Sequence, residues 1–300
     1  MNYLNYSTIL LILILTGERK MRLTQYIIKI ILRYKHHNIS ALASQMAFDM
    51  MFAFFPFLIF LLTMVGFTNV NPNEILVILA TLMPSELHAS VSTLALQLLQ
   101  TRNTNLLSIS LLFTLYTASR GFRAIIYGLN EAYEEKETRG YIKVIFISVF
   151  FMIGVSLVII FLLLFLVFGE MLSKYLVGWI GLDGNVVRYI GLIRYPVGFL
   201  GMIVVFSALY YFIPCKKVSW LEVMPGAIFT SFLWIILSML FAYYVNNYGN
   251  YSAIYGSIGA IIILMLWLQI TSTTILLGGE LNALLAHDRE LKYRLSENKR

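Results

Sequence analysis

The residues of this chain that could do chemistry are charged and amide side chains that interrupt long apolar runs. Asp49 lies in "SQMAFDMMFAFFPF", Arg120 and Arg123 in "ASRGFRAIIYGL", and Glu280 and Asn282 in "ILLGGELNALL". Asn130 and Arg139 open and close the acidic run "NEAYEEKETR". A carboxylate, a guanidinium and an amide at one depth of a membrane bundle can pair with each other or hold the head of a polar cargo. A charge facing lipid at a helix centre costs about 2.5–3.5 kcal/mol on insertion scales. Pairing of Arg120 or Arg123 with Glu280 or Asp49 is therefore expected, with snorkelling to the headgroups as the rival.

Other chemistries lack their residues. His36 and His37 are adjacent, which is poor geometry for a shared metal, while His88 and His287 are remote; each reads as an interfacial residue. Glu131, Glu134, Glu135 and Glu137 have no histidine or aspartate companions, and a two-metal hydrolase needs several convergent ligands. They read as a solvated loop. One cysteine, Cys215, excludes a disulfide framework. No glycine-rich phosphate loop appears. The expectation is no metal, no cofactor, no catalytic residue and no nucleic-acid partner.

These polar residues must be positioned by membrane helices. The chain has 300 residues, 59% hydrophobic and only 12% charged, with mean hydropathy +0.80. A soluble domain carries roughly 25% charged residues, so too little polar surface remains to coat a water-soluble fold. A helix needs about 20 apolar residues to cross a bilayer. The predicted fold is an all-α polytopic bundle of six spans, at 46–67, 105–128, 144–168, 195–213, 223–245 and 255–279. The second is the least clean, because only 105–119 is free of charge; it must run on through Arg120 and Arg123.

Charge bias supports six. With both termini inside, 18 of the 22 basic residues fall on the cytoplasmic side. Only Arg102, Lys174, Arg188 and Arg194 fall outside. Residues 21–287 then form the membrane domain and 288–300 a charged cytoplasmic tail. Residues 1–20 read as an extension ahead of a natural start at Met21, with a flexible or interfacial segment as the alternative. From Met21, Leu23, Tyr26, Ile27, Ile30, Ile31 and Tyr34 share one helical face, and Arg22, Lys29, Arg33 and His36 the other. Such a helix is expected in the headgroup layer, its basic face toward anionic lipid.

Packing and hinge positions are also legible. Small residues let helices approach closely in lipid. Tyr255, Gly256 and Gly259 open the sixth span, and Gly278 and Gly279 are expected to close it near the second. Pro225 and Gly226 sit at the start of the fifth, where proline costs no hydrogen bond. Pro56 lies mid-span and should kink the first.

Four blocks occur in order: "ALASQMAFDMMFAFFPFLIFLL"; "GLNEAYEEKETRGYIK"; Pro214, Trp220, Pro225–Ala227 and Trp234; and "YSAIYGSIGAIIILMLWL…LLGGELNALL". Over residues 22–287 the chain resembles the YihY/BrkB family of bacterial inner-membrane proteins, once labelled ribonuclease BN. Asn130, Arg139, Tyr255, Gly256, Glu280 and Asn282 match the family pattern; Asp49 and Ala53 depart from it. The resemblance implies six spans, no nuclease site, and a part in the envelope that has been linked to lipids and to virulence. The expected function is a transporter or lipid-handling protein that hydrolyses no nucleotide. A non-transporting scaffold or envelope-integrity factor is the alternative, and a ribonuclease ranks last. Membrane lipids are the expected partners, and a homo-oligomer is left open.

Overall fold

The computed structural model describes residues 23–67, 92, 95–99, 103–151, 153–154, 184–248 and 258–297. The expectations for residues 1–20, His88, Tyr255 and Gly256, and for the second half of the third span, lie outside these residues. The described chain is almost entirely helical. Its elements are α1 (Leu23–His36), α2 (Ile39–Gly66), α3 (Thr104–Ala132), α4 (Tyr141–Phe151), α5 (Gly184–Phe212), α6 (Trp220–Tyr248) and α7 (Ile258–Glu297). Three helices are long and apolar enough to cross a membrane: Ile39–Met64, Trp220–Asn247 and Ile261–Glu290. Tyr141–Phe151 and Pro196–Phe212 are shorter apolar stretches.

The elements follow local signals. Asn103 caps α3, its side-chain oxygen accepting from Leu106 N–H at 3.0 Å. The turn between α1 and α2 is only His37 and Asn38, with Asn38 at φ 47°. Asparagine tolerates this left-handed conformation better than most residues, and its carbonyl accepts from Ala41 and Leu42 to start α2. Arg33, Lys35 and His36 end α1, where cations suit the helix dipole.

Helix α2 packs along α3, and α7 packs against both α6 and α2, with α5 on the far side of α6. The bundle is apolar outside and comparatively polar inside. Phe52, Leu112, Phe146, Phe150 and Met239 are exposed, whereas Thr63, Thr114, Ser148, Thr230, Ser272 and Thr274 are buried. Several of these hydroxyls bond back to their own helix, as Thr114 does to Ser110 C=O at 2.7 Å. An apolar exterior of this extent needs hydrocarbon as its solvent.

Three expectations need correction. Helix α6 begins at Trp220, so Pro225 is its sixth residue rather than part of its first turn. Gly278 and Gly279 do not close a span, because α7 runs unbroken for 40 residues to Glu297. They lie inside the helix because the residues beyond them, including Asn282, keep packing on α6. Helix α5 starts at Gly184, and Pro196 lies within it. Pro56 is buried within α2, which continues through it.

Candidate functional site

One end of the bundle gathers the turn before α2, the C-termini of α3 and α5, the N-terminus of α6 and the middle of α7. At its centre is Glu280, fully buried. Arg33 Nε donates to Glu280 Oε2 at 2.6 Å, and His37 Nδ1 lies 2.5 Å from Oε1. An ionised carboxylate only accepts, so Nδ1 carries the proton of that bond. Arg33 Nη2 donates to the Ala132 carbonyl at 2.8 Å, satisfying one of the free acceptors at the end of α3. The same nitrogen lies 3.3 Å from Glu134 Oε1, and His37 Nε2 lies 4.0 Å from it. Glu134 itself has φ 57°. Thus the two non-glycine residues with left-handed backbones, Asn38 and Glu134, flank this cluster. Such conformations persist where surrounding contacts over-determine them.

Helix α1 therefore does not offer its basic face to lipid as expected. Lys29 and Arg33 are nearly buried, and Lys29 pairs with Asp288 at 3.5 Å. Ile27, Ile28 and Ile31 are the half-exposed side chains. The amphipathic pattern was legible; the carboxylates of α7 decide which way its polar face turns.

The other polar residues expected at one depth fall into separate groups. Arg120 pairs with Asp49 at 3.3 Å. Arg123 donates to the Tyr141 hydroxyl at 3.2 Å, its guanidinium 5.5 Å from the ring centre. Neither arginine reaches Glu280. Asn130 and Arg139 belong to a third group with Glu137 and Cys215. Arg139 grips Glu137 through Nε and Nη2, both at 2.8 Å, and donates to Ile213 C=O at 2.8 Å. Asn130 donates to Glu137 Oε2 at 2.9 Å and accepts from Cys215 N–H at 2.8 Å. These bonds tie the loop after α3 to the end of α5.

Those hydrogen bonds from Arg139 hold the Glu137 carboxyl at about 2, below its ordinary 4.5; the Cys215 thiol and the Arg139 amide assist, and burial opposes. A carboxyl with a depressed folded value stabilises above its unfolded value and loses that contribution as pH falls through the folded one. The stability difference between the wild type and Glu137→Gln should thus be full at neutral pH. It should shrink as pH falls from about 4.5 toward about 2. Thermal melts of both proteins across that range test it, and a difference independent of pH would refute it.

Asn282 forms the fourth group. Its Oδ1 accepts from Gly226 N–H at 2.7 Å, and its Nδ2 donates to Val223 C=O at 3.1 Å. It thereby stitches α7 to α6 beside Pro225. Nearby, Tyr210 of α5 bonds Thr230 at 2.7 Å and the Ile275 carbonyl at 2.8 Å. Gly278 faces Tyr210 and Thr230, while Gly279 faces Leu129 and Ala132 of α3. Gly279 thus meets the neighbour expected from sequence, and Gly278 meets a different one. Gly259 is buried near the far end of α7.

Arg33, His37, Lys29, Asp288, Glu137 and Cys215 were missed. A signal existed for the first three: Lys29, Arg33 and His37 are four apart and share one helical face. Among the described residues, no group of three His, Cys, Asp or Glu side chains could hold a metal ion.

A polar line continues from this end along α7. Gln269 donates to Ser44 of α2 at 3.0 Å, and Trp234 of α6 donates to Thr271 at 3.1 Å. Between α6 and α7 lies a groove of about 650 Å³ lined by Leu237, Leu240, Phe241, Tyr244, Leu266, Gln269, Ile270 and Thr273.

An apolar-coated helix bundle with charges buried at one end and hydroxyl and amide groups along its core is an integral membrane protein. Comparison with known proteins gives the family. The model for "Virulence factor BrkB" matches residues 30–300, and the chain belongs to this family, YihY/BrkB. It is 38% identical over 259 residues to the "Putative ribonuclease-like protein YfkH" of Bacillus subtilis (strain 168), covering 86% of this chain and 94% of that one. It is 34% identical over 87 residues to a UPF0761 membrane protein of Histophilus somni (strain 2336), covering 29% and 30%. A UPF0761 membrane protein of Vibrio cholerae is 36% identical over 80 residues, covering 27% of each. The ribonuclease in the first name is a mislabel, since the family is one of membrane proteins without known enzymatic function. No solved structure matches the chain.

Proposed function

We propose that this chain is a multi-pass protein of the bacterial cytoplasmic membrane that handles lipid or carries a polar cargo without hydrolysing nucleotide, and that it is not an enzyme. Six spans with both termini on the cytoplasmic side remain the topology that best fits the charge distribution. The charged end around Glu280 then faces the cytoplasm, with Ile27, Ile28 and Ile31 of α1 resting in the leaflet. The observation that carries the reading is the groove between α6 and α7. Gln269, Thr273 and Tyr244 line it at a depth where the flanking side chains are apolar. Polar groups in hydrocarbon are costly and mark substrate paths, and a headgroup could pass there while its tails stay in lipid.

Purified protein in vesicles containing a fluorescent lipid tests this. The wild type should speed movement between leaflets, and Gln269→Leu combined with Thr273→Val should slow it while melting normally. Protein-containing vesicles that behave like empty ones, whatever lipid is used, would refute it. That outcome would favour the second reading, a non-transporting scaffold of the envelope. The saturated hydrogen bonding of Glu280 supports that alternative, because a clamp needs no free group. RNA cleavage by the purified chain would overturn both.

A further inference from the structure

The interaction of Arg123 with Tyr141 is unlike the other basic contacts at the charged end. Lys29, Arg33, Arg120 and Arg139 each pair with a carboxylate. Arg123 meets none among the described residues; its contact is the hydroxyl and ring of Tyr141. A guanidinium has five N–H donors in a planar fork, and one donor is used here. The residue is half-buried on α3, nine positions before the helix ends at Ala132. At 1.5 Å per residue this is roughly 13 Å from that end, level with the boundary between core and headgroups.

The surroundings are amphiphilic in the matching order. Tyr127, one turn along α3, and Tyr141, at the start of α4, are both exposed, as tyrosines of an interfacial belt are. Lys143 is exposed two residues after Tyr141 and has no carboxylate partner among the described residues. From there Ile142, Phe146 and Phe150 lie four apart on α4 and are 69–74% exposed, an apolar rail leading away from the charge. Gly140, Tyr141, Ile142, Lys143 and Phe146 border a shallow hollow at its head.

We propose that Arg123, Tyr141 and Lys143 form a binding site for the headgroup phosphate of an anionic phospholipid whose acyl chain lies along Ile142, Phe146 and Phe150. Arginine suits phosphate because its fork can donate two parallel bonds. The Tyr141 ring holds the guanidinium in place, so little freedom is lost on binding. Lys143 supplies a second positive charge, which is why an anionic lipid is preferred to a zwitterionic one. The site is separate from the α6–α7 groove and stands whether or not the chain moves lipid.

Retention of phosphatidylglycerol and of phosphatidylcholine with matched tails by the purified full chain in detergent, read by native mass spectrometry, tests the proposal. Phosphatidylglycerol should be held more tightly. Arg123→Gln should weaken it about tenfold, the scale of a lost charge-assisted bond. Tyr141→Phe, which keeps the ring, should weaken it by less, and Lys217→Gln, which removes a distant charge, should leave it unchanged. If Arg123→Gln misfolds, the ordering of Tyr141→Phe and Lys143→Gln against Lys217→Gln decides. Equal retention of the two lipids, or wild-type retention by the folded Arg123→Gln protein, would overturn the site. Displacement by inorganic phosphate alone, with no dependence on tails, would overturn the lipid assignment in favour of a free anion. Because retention is measured without lipid movement, a negative vesicle assay leaves this result intact.

Discussion

Replacing Glu280 by alanine will destabilise the membrane domain by about 3–5 kcal/mol, the scale for removing one partner of a buried ion pair. The carboxylate has no solvent exposure and receives Arg33 at 2.6 Å and His37 at 2.5 Å. Without it, a guanidinium that is 5% exposed keeps only the Ala132 carbonyl and the edge of Glu134. Helix α1 should then detach from the end of the bundle, since its other ion pair, Lys29 with Asp288, is long at 3.5 Å. Glu280→Gln keeps the volume and one acceptor, so it should cost less. Arg33→Met together with Glu280→Leu should recover most of the loss, because an apolar pair carries no desolvation penalty. Melting of the purified protein in detergent reads all three. The alanine variant should fall on the order of 10 °C; melting like the wild type would mean that the pair does not hold α1.

The second large effect is steric. Gly226→Ala will push α6 away from α7, because the added methyl would overlap the Asn282 side chain and the Gly278 carbonyl. Backbone cannot swing aside as a flexible side chain can. Overpacking costs roughly 1–3 kcal/mol even where side chains can adjust. Here the bonds of Asn282 to Gly226 and Val223 are lost as well. A loss at or above about 3 kcal/mol is expected. Gly198→Ala is the control. Nothing lies within 4 Å of its new methyl in α5, so helix propensity should dominate and stabilise by up to about 1 kcal/mol. If both alanines act alike, close approach is not what Gly226 provides.

The fold class was written in the chain, because hydropathy acts locally: a run of apolar residues long enough to cross hydrocarbon must be helical wherever its neighbours lie. The amphipathic pattern of α1 was legible for the same reason, and so was the run of α3 past Arg120 and Arg123. The residue set at the charged end was partly legible too, since a charge in an apolar run announces itself. Asp49 and Arg120 pair as expected, and Gly279 meets α3 as expected.

Which charge meets which was not legible. Arg33 and Glu280 are 247 residues apart, and nothing in either local stretch specifies the other. Coulomb attraction is indifferent among several arginines at one depth. The rotation and depth of each helix, set by glycines against Tyr210, Thr230 and Leu129, choose the partner. Sequence alone determined that this chain lives in a membrane, in what kind of helices, and which side chains must find polar company there. Only the tertiary structure decided that the basic face of α1 turns inward to Glu280 and Asp288, and that Arg123 is left with an aromatic ring and no acid. The reason is physical: hydropathy is read residue by residue, whereas pairing depends on how helices rotate against one another.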